Sequence, residues 1–406
     1  MAKKRSAKKK SAGSDFGEFK LVGELLTEAV RAGASDVHLG GRPGDQATVR
    51  FRKDGALHEV QRYSAKEHGA MAEQLRAMCH LDPDEHTRPQ DGRIMATIDG
   101  EAVDFRVNLS PCVLGDSITV RVLHHRAVSL NLEDYHYSQP VLDCLGKLTT
   151  TPHGLFVLTG PTGTGKTTTL YCVLKRIAAG GHSKVITIED PVEFVIDGVE
   201  QSAIRPQAGA TFPSLLRSSL RSDPDVLMVG EIRDNETAHV IHQAALTGHL
   251  VLTTLHTNFA PEVATRLINI GVPPFLVSSC LIGTMSQRLV RRLRGDHRQP
   301  DPDAHEKLRL LQADERWFGQ TFYRPAGDPP DEANGYRGRI PINDVMLVDA
   351  DIRKMITRKA DNREFAQAMR DKGMLTMLDD GLTKAAAGET SLDELLKVGL
   401  VGEWFA

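Results

Sequence analysis

The residues best suited to chemistry form one stretch, Gly160-Pro161-Thr162-Gly163-Thr164-Gly165-Lys166-Thr167, with the pattern G-x-x-x-x-G-K-T. An apolar run at 155–158 precedes it, and a run with helical spacing begins at Thr168. A glycine loop between a strand and a helix is the context that identifies a P-loop. Its backbone N–H groups and the helix N-terminus bind phosphate. We expect Lys166 to reach the β- and γ-phosphates of a nucleoside triphosphate and the Thr167 hydroxyl to ligate Mg²⁺.

Polar residues follow three further apolar runs, at 185–188, 226–229 and 250–254. In a parallel sheet the carboxyl ends of the strands meet at the edge where the P-loop holds phosphate. Phosphoryl transfer to water needs Mg²⁺ ligands, a carboxylate that orients the water and a group that senses the γ-phosphate. Carboxylates after two of these runs and a histidine after the third supply such groups. The candidates are Glu189, Glu193, Glu231 and His256.

The elements that position these residues alternate between strand and helix from residue 151 onward. That order predicts an α/β domain with a mainly parallel sheet, with its ATPase core at 151–293. A connector with one helix, at 129–150, precedes it. Residues 16–128 carry mostly antiparallel strand signals with helices near 21–32 and 65–78, which predicts a small α+β domain.

Three segments complete the organisation. Residues 261–293 are expected to be largely helical, broken at Gly271-Val272-Pro273-Pro274. Residues 294–335, rich in Asp, Pro, Arg and Gly, are expected to be a loop-rich insertion. Residues 336–406 are expected to form a mainly helical C-terminal part.

The composition is that of a globular protein: 406 residues, 25% charged, 40% hydrophobic, with a net charge of −3. This length predicts two or three domains, and the balance of charge gives no overall bias toward nucleic acid or membrane. The five cysteines lie far apart, without a C-x-x-C pair, and are expected to be reduced core residues of a cytoplasmic protein.

Residues 1–15 form a basic tail with Lys and Arg among Ser, Ala and Gly. Such a composition cannot bury a core and predicts disorder. No apolar segment of a secretory signal follows it, so nothing indicates export. The tail is either a solvated segment or a segment attracted to anionic lipid headgroups.

Four motifs in order resemble the secretion ATPase superfamily of type II secretion and type IV pilus systems. They are the P-loop, residues 188–194 (IEDPVEF), residues 220–234 (LRSDPDVLMVGEIRD) and residues 247–258 (TGHLVLTTLHTN). The resemblance covers nearly all of residues 20–400. It implies a RecA-like core behind a PAS-like N-terminal domain, a homohexamer, and ATP hydrolysis that powers pilus assembly or protein secretion through an inner-membrane platform protein.

The resemblance also implies roles for particular residues. Glu231 is expected to activate water, and Glu231 and Glu189 are expected to coordinate Mg²⁺ together with Thr167. Glu189 and Glu193 are expected to support that network of water and metal. His249 and His256 resemble residues that sense the nucleotide. In the N-terminal domain, Arg106 and Arg121 resemble arginine fingers that stabilise charge on the phosphates; without the family they would be ordinary strand arginines.

The residues 287–293, 335–340 and 375–392 resemble the export branch more than the retraction branch. Two departures stand out. That branch has a further N-terminal domain, whereas only about 15 residues precede the α+β domain. It also has two C-x-x-C pairs that bind zinc, and the aligned positions here are Arg294, His297, Asp328 and Asp331. Since an arginine cannot ligate zinc and no thiolate is present, we expect no structural zinc.

Three other functions stay open at this point. A retraction ATPase would share the core motifs. A nucleic-acid motor would also carry a P-loop, although only the tail and a cluster at Arg288, Arg291, Arg292 and Arg294 are basic and aromatic residues are 5%. A nucleotide-binding regulator without turnover is disfavoured, because the residues for hydrolysis are all present.

Overall fold

The fold is seen in a computed structural model that describes residues 16–124, 130–326 and 335–400. Contacts divide the chain into two units, Met1–Val128 and Ser129–Ala406. The basic tail at 1–15 and the positions Asp328 and Asp331 lie outside the described residues.

The first unit holds an antiparallel six-stranded sheet in the order β3-β2-β1-β6-β5-β4. Its strands are β1 Asp36–Arg42, β2 Gln46–Lys53, β3 Ala56–Ser64, β4 Gln90–Ile98, β5 Glu101–Ser110 and β6 Ser117–His124, and its helices are α1 Lys20–Ala32 and α2 Ala65–Met78. The predicted α+β class of this unit is confirmed.

Local sequence explains both helices of this unit. Four apolar residues of α1 recur at helical spacing and enter one core with the sheet, where Val37 and Phe105 are fully buried. Gly33 ends α1 in the left-handed region, at φ 72°, where a side chain would be strained. Ser64 and Glu67 form a capping box that starts α2, a device that contributes about 1 kcal/mol.

The second unit holds a seven-stranded sheet in the order β15-β12-β7-β11-β10-β8-β9. Its strands are β7 Gly154–Thr159, β8 Val185–Glu189, β9 Val199–Ala203, β10 Val226–Val229, β11 Leu250–Leu255, β12 Leu281–Leu293 and β15 Tyr336–Leu347. Every neighbouring pair except β12–β15 is parallel. The predicted α/β fold with a mainly parallel sheet is confirmed.

Helices cover this sheet and extend from it. They are α3 Gln139–Leu148, α4 Lys166–Ala179, α5 Phe212–Ser219, α6 Asn235–Leu246, α7 Glu262–Asn269, α8 Pro274–Cys280, α9 Ala304–Leu310, α10 Ala350–Thr357, α11 Asn362–Asp371, α12 Met377–Ala386 and α13 Leu392–Lys397. A small two-stranded sheet pairs β13 Arg298–Pro300 with β14 Tyr323–Pro325. Strand β7 is buried along its whole length between β12 and β11, so the P-loop begins at the middle of the sheet edge.

One prediction about this unit is wrong, and a second, the mainly helical C-terminal part at 336–406, is confirmed by α10 to α13 but begins with a strand. Residues 281–293 form β12, not helix, because the segment pairs with β7 on one side and β15 on the other and tertiary pairing overrides its helix-compatible spacing. Residues 336–347, expected in a mainly helical part, form β15 at the edge of the central sheet. The sheet therefore draws one strand from beyond residue 293.

The cysteines fit the predicted reduced core only in part. Among the described residues Cys144, Cys172 and Cys280 are buried and free, but Cys112 is exposed and Cys79 is half-buried. Within 16–124, 130–326 and 335–400, no helix combines the length and the apolar character that crossing a bilayer requires.

Candidate active site

The P-loop lies where the sequence places it, between β7 and α4. Gly160 and Gly165 take φ values of 138° and 83°, which glycine adopts without strain. Between them lie Pro161, Thr162, Gly163 and Thr164, and the Thr164 hydroxyl donates to the Pro161 carbonyl oxygen at 2.9 Å. The first turn of α4 carries Lys166, Thr167 and Thr168, so the hydroxyls sit at the positive end of a 14-residue helix.

Lys166 is 9% exposed and points back into the loop. Its Nζ donates to the carbonyl oxygens of Gly160 at 2.7 Å and Pro161 at 2.9 Å. Burial lowers the pKa of Lys166 to about 8, against the charge of Glu231, which raises it. The glutamate after β10 therefore acts electrostatically on the P-loop lysine.

Glu231 is held by side-chain partners on two sides. The Arg233 guanidinium forms an ion pair with one of its oxygens, and His256 Nε2 lies 3.0 Å from the other. Burial acts to raise the pKa of Glu231, but the hydrogen bonds from Arg233 and His256 outweigh it and the pKa is lowered. Arg233 also reaches Asp190, after β8, at 3.0 Å. Three strand ends thus meet around this carboxylate.

Glu189 is buried, at 2% exposed, and its oxygens are taken by neighbours. The hydroxyls of Tyr171 and Thr187 donate to it, as does Gln201 Nε2 at 3.1 Å. These bonds fix the orientation of the Glu189 carboxylate, for which the sequence predicts a direct contact with Mg²⁺.

Glu193 is tied to the same group through its backbone. Its N–H donates to the Tyr171 hydroxyl at 3.2 Å, and its side chain is half-buried in the loop after β8. Tyr171 therefore connects the buried carboxylate of Glu189 to the segment that carries Glu193.

The two candidate histidines lie at opposite edges of the sheet. His256 follows β11 at its carboxyl end, whereas His249 precedes the same strand. His249 Nδ1 lies 2.9 Å from the Ala244 carbonyl oxygen, and its own carbonyl accepts from Gly154 N–H at the start of β7. Within this unit the structure does not bring His249 to the P-loop, because a parallel strand separates its two ends by its whole length.

The loop that carries His256 is fastened to the P-loop strand and to β12. The Thr159 hydroxyl accepts from Thr257 N–H at 2.8 Å. Asp344, on β15, accepts from the N–H groups of Ala260 and Ser286, and burial raises its pKa to about 7 against those bonds. The position of His256 is thus set by groups from three strands.

Arg106 and Arg121 belong to the first unit. They lie directly opposite each other on β5 and β6. Arg121 Nε donates to Asp36 at 3.1 Å, and its side chain is 54% exposed. Cross-strand neighbours share one face of a sheet, so both guanidinium groups belong to the same surface.

Of the four positions aligned with zinc ligands, the structure describes Arg294 and His297, and both lie beside Asp296. Arg294 forms an ion pair with Asp296 at 2.9 Å, and His297 Nδ1 lies 3.6 Å from the same aspartate. Among the residues that the structure describes, no group of three or more His, Cys, Asp or Glu side chains is arranged to hold a metal ion.

The site fits a nucleoside triphosphate with Mg²⁺. A Cβ at Gly163 would meet nothing within 4 Å, so the middle of the loop is open, while a Cβ at Gly160 would lie 2.5 Å from the Gln287 carbonyl oxygen. The hydroxyl of Thr167 and the carboxylate of Glu231 are the hard oxygen donors that Mg²⁺ prefers. Both could hold the ion beside Lys166.

Sequence reasoning missed three residues of this site. Arg233 was part of a quoted motif without a role, Tyr171 was an ordinary helix residue, and Gln287 lay in a segment expected to be helical. Gln287 Nε2 donates to the Thr164 carbonyl oxygen of the P-loop at 2.7 Å. The Glu-Ile-Arg spacing after β10 could have suggested Arg233. Gln287 opens the family-like segment 287–293, which gave it no role at the P-loop, and no sequence signal distinguished Tyr171.

Comparison with known proteins also indicates a secretion ATPase fold and family. A family model described as "Type II/IV secretion system protein" matches residues 14–397. Type II secretion system ATPase E of Vibrio cholerae is 41% identical over 379 residues, which is 93% of this chain and 75% of that protein. Type IV pilus assembly ATPase PilB of Thermus thermophilus is 40% identical over 380 residues, which is 93% of this chain but 42% of PilB.

A solved structure agrees in fold. The crystal structure of the pilus retraction motor PilT with bound ADP aligns with a TM-score of 0.61 at 25% identity, covering 93% of this chain and 96% of PilT. The family model spans nearly all of the P-loop unit and the α+β unit, and the relatives match at about two residues in five. This chain belongs to the type II/IV secretion system protein family.

Proposed function

We propose that this ATPase forms a homohexamer at the cytoplasmic face of the inner membrane. There it converts ATP hydrolysis into work on a platform protein of a secretion or pilus machine. The names of its relatives, a type II secretion ATPase and a pilus assembly ATPase, support the process. The main structural support for hydrolysis is the cluster at the strand ends. There the charge of Glu231 acts on Lys166, and His256 hydrogen-bonds to Glu231.

In this proposal the chain's residues divide the work. Backbone N–H groups of the P-loop and Lys166 bind the phosphates, and Thr167 and Glu231 hold Mg²⁺, which neutralises phosphate charge when bound. Glu231 also orients the attacking water, with Glu193 the next candidate. His256 holds the Glu231 carboxylate from the side away from Arg233 and senses the nucleotide.

Two arginines of the first unit, Arg106 and Arg121, are further candidates for stabilising phosphate charge. Arg106 and Arg121 share one sheet face and could approach phosphate together. An arginine placed at the phosphates stabilises the charge that develops in the transition state. It does so better than water, because the guanidinium is already oriented before the reaction.

The test separates binding from hydrolysis. Lys166→Ala should abolish both ATP binding and turnover, whereas Glu231→Gln should bind ATP and fail to hydrolyse it. Glu306→Gln, at an exposed position of α9, is the matched control. Turnover at the wild-type rate in Glu231→Gln would assign the water-activating role elsewhere, with Glu193 examined next.

The hexamer has its own measurement. Sedimentation of the protein with a non-hydrolysable ATP analogue should show a species of six chains, and a protein that stays monomeric at micromolar concentration would contradict the proposal. Retraction is the second candidate, because PilT shares the fold over 93% of this chain. Loss of fibre assembly in a strain lacking this protein would favour extension, and persistent fibres would favour retraction.

A further inference from the structure

A row of buried polar side chains crosses the second unit behind the P-loop. None is more than 5% exposed; the members are Thr169, Gln287, Asn343, Asp380 and Lys384. Burying polar groups costs free energy unless they are hydrogen-bonded to one another. None of them belongs to the nucleotide motifs, so their arrangement needs a reason of its own.

Gln287, on β12, supports both ends of the P-loop. Its Nε2 donates to the Thr164 carbonyl oxygen at 2.7 Å. A Cβ at Gly165 would lie 3.1 Å from that Nε2, and a Cβ at Gly160 would lie 2.5 Å from the Gln287 carbonyl oxygen. The first and last glycines of the loop are therefore packed against one residue, and this contact leaves no room for a side chain at Gly160.

The other end of the amide is fixed as well. Gln287 Oε1 accepts from the Thr169 hydroxyl at 3.0 Å and from Asn343 Nδ2 at 3.2 Å. The Tyr137 hydroxyl lies 2.6 Å from that of Thr169 and 3.5 Å from the same Oε1. Because donors surround Oε1, the amide is held with Nε2 toward Thr164.

The row ends in a buried ion pair on α12. Asn343 N–H donates to Asp380 Oδ2 at 2.8 Å, and Lys384 Nζ donates to the same oxygen at 3.0 Å. Lys384 also donates to the Pro341 carbonyl oxygen at 2.6 Å. Helix α12 thereby fixes the part of β15 that presents Asn343 to Gln287.

We propose that Gln287 is a positioning residue for nucleotide binding, with Thr169, Asn343 and Asp380 acting through it. The carbonyl of Thr164 and the N–H of Gly165 belong to one planar trans peptide and point in opposite directions. By holding the carbonyl, Gln287 turns the Gly165 N–H toward the phosphates. This inference rests on the proposed nucleotide binding.

Two variants test it by the dissociation constant of fluorescent ADP. Gln287→Glu keeps the size and Oε1 but replaces the donor with a second oxygen, and Gln287→Met removes both. Each should weaken ADP binding by about tenfold, the effect of one lost buried hydrogen bond. Gln243→Glu, exposed on α6, is the matched control and should bind like wild type. Wild-type affinity in folded Gln287→Met would overturn the proposal.

Acid rescue distinguishes the hydrogen bond from packing. A protonated glutamic acid can donate to the Thr164 carbonyl, and burial raises a carboxyl pKa. At each pH the ADP affinity of a variant is divided by that of the wild type. This ratio should rise toward one for Gln287→Glu as the pH is lowered from 8 to 5.5, and should stay low for Gln287→Met. The charged groups on the packed elements, Lys166, Asp380 and Lys384, are common to both variants.

The outcomes separate this inference from the proposed function. Equal weakness of the two variants at every pH would show that the donor is not what positions the loop. A wild-type protein that fails to bind ADP would refute the proposed function itself. If Gln287→Glu does not fold, the Gln287→Met affinity, read beside its thermal midpoint, decides the question.

Discussion

His256 Nε2 lies 3.0 Å from Glu231 Oε2, which joins the end of β11 to the loop after β10. Arg233 holds the opposite oxygen of the same carboxylate. The carboxylate is thus fixed from both sides beside a P-loop lysine on which its charge acts. This geometry allows Glu231 to be oriented before nucleotide arrives.

His256→Ala should lower kcat about a hundredfold, as expected when a group that orients a catalytic residue is removed. ADP affinity should change by less than about twofold, since the phosphates are bound by the P-loop. His153→Ala, exposed before β7, is the control. A variant that loses affinity and keeps its kcat would show that His256 contributes to binding instead.

ADP binding should weaken as the pH rises above about 8. Lys166 has a pKa of about 8 in the folded protein, below its ordinary value of 10.5, because it is buried. The phosphates of ADP favour the protonated form of Lys166. Above the pKa of the free site, ADP binding is therefore coupled to the uptake of a proton by Lys166. Affinity should fall by about tenfold per pH unit beyond the pKa.

The lowered pKa of Lys166 affects folding stability in the opposite direction to ADP affinity, because stability increases as the pH rises. Between about pH 8 and 10.5 the unfolded chain holds this proton more tightly, so the contribution of Lys166 to stability rises with pH in that window. Calorimetry of ADP binding in buffers of different ionisation enthalpy measures the proton uptake. An affinity that is constant from pH 7 to about 9.5 would contradict a lowered pKa.

Tyr171→Phe should destabilise the protein and slow hydrolysis together. The change removes the donor to buried Glu189 and the acceptor for Glu193 N–H. Leaving buried polar groups unpaired costs about 1–3 kcal/mol, measurable by urea unfolding. Tyr323→Phe keeps a ring stacked on Arg298 and should change stability by less than about 0.5 kcal/mol. A Tyr171→Phe variant with unchanged kcat would separate Glu193 from the reaction.

Asp344→Asn should gain stability relative to wild type as the pH rises. Burial raises the pKa of Asp344 to about 7, above its ordinary value of 3.8, so the folded protein keeps a proton that the unfolded chain has lost. The contribution of Asp344 to stability is present below pH 4 and is lost as the pH rises through 7. An asparagine has no such dependence.

Urea midpoints at pH 5.5 and pH 8 measure this difference. The advantage of Asp344→Asn should be larger at pH 8, and Asp143→Asn, at an exposed position of α3, should show no such trend. An equal difference at both pH values would mean that Asp344 is ionised throughout.

The sequence by itself determined the P-loop, the strand-end carboxylates and the α/β class. These follow from local rules: a glycine pattern between a strand and a helix, and polar residues after apolar runs that can only be buried strands. Glu231 and His256 could be assigned to one edge because parallel strands carry their carboxyl ends to the same side.

Only the tertiary structure decided which side chains meet. Residues 281–293 have spacing that suits a helix, and their pairing with β7 and β15 makes them a strand. That pairing puts Gln287 under the P-loop, across more than 120 residues of chain. The same pairing brings Asn343, on β15, to the Gln287 side chain. Such contacts depend on register and strand order, which no local pattern specifies.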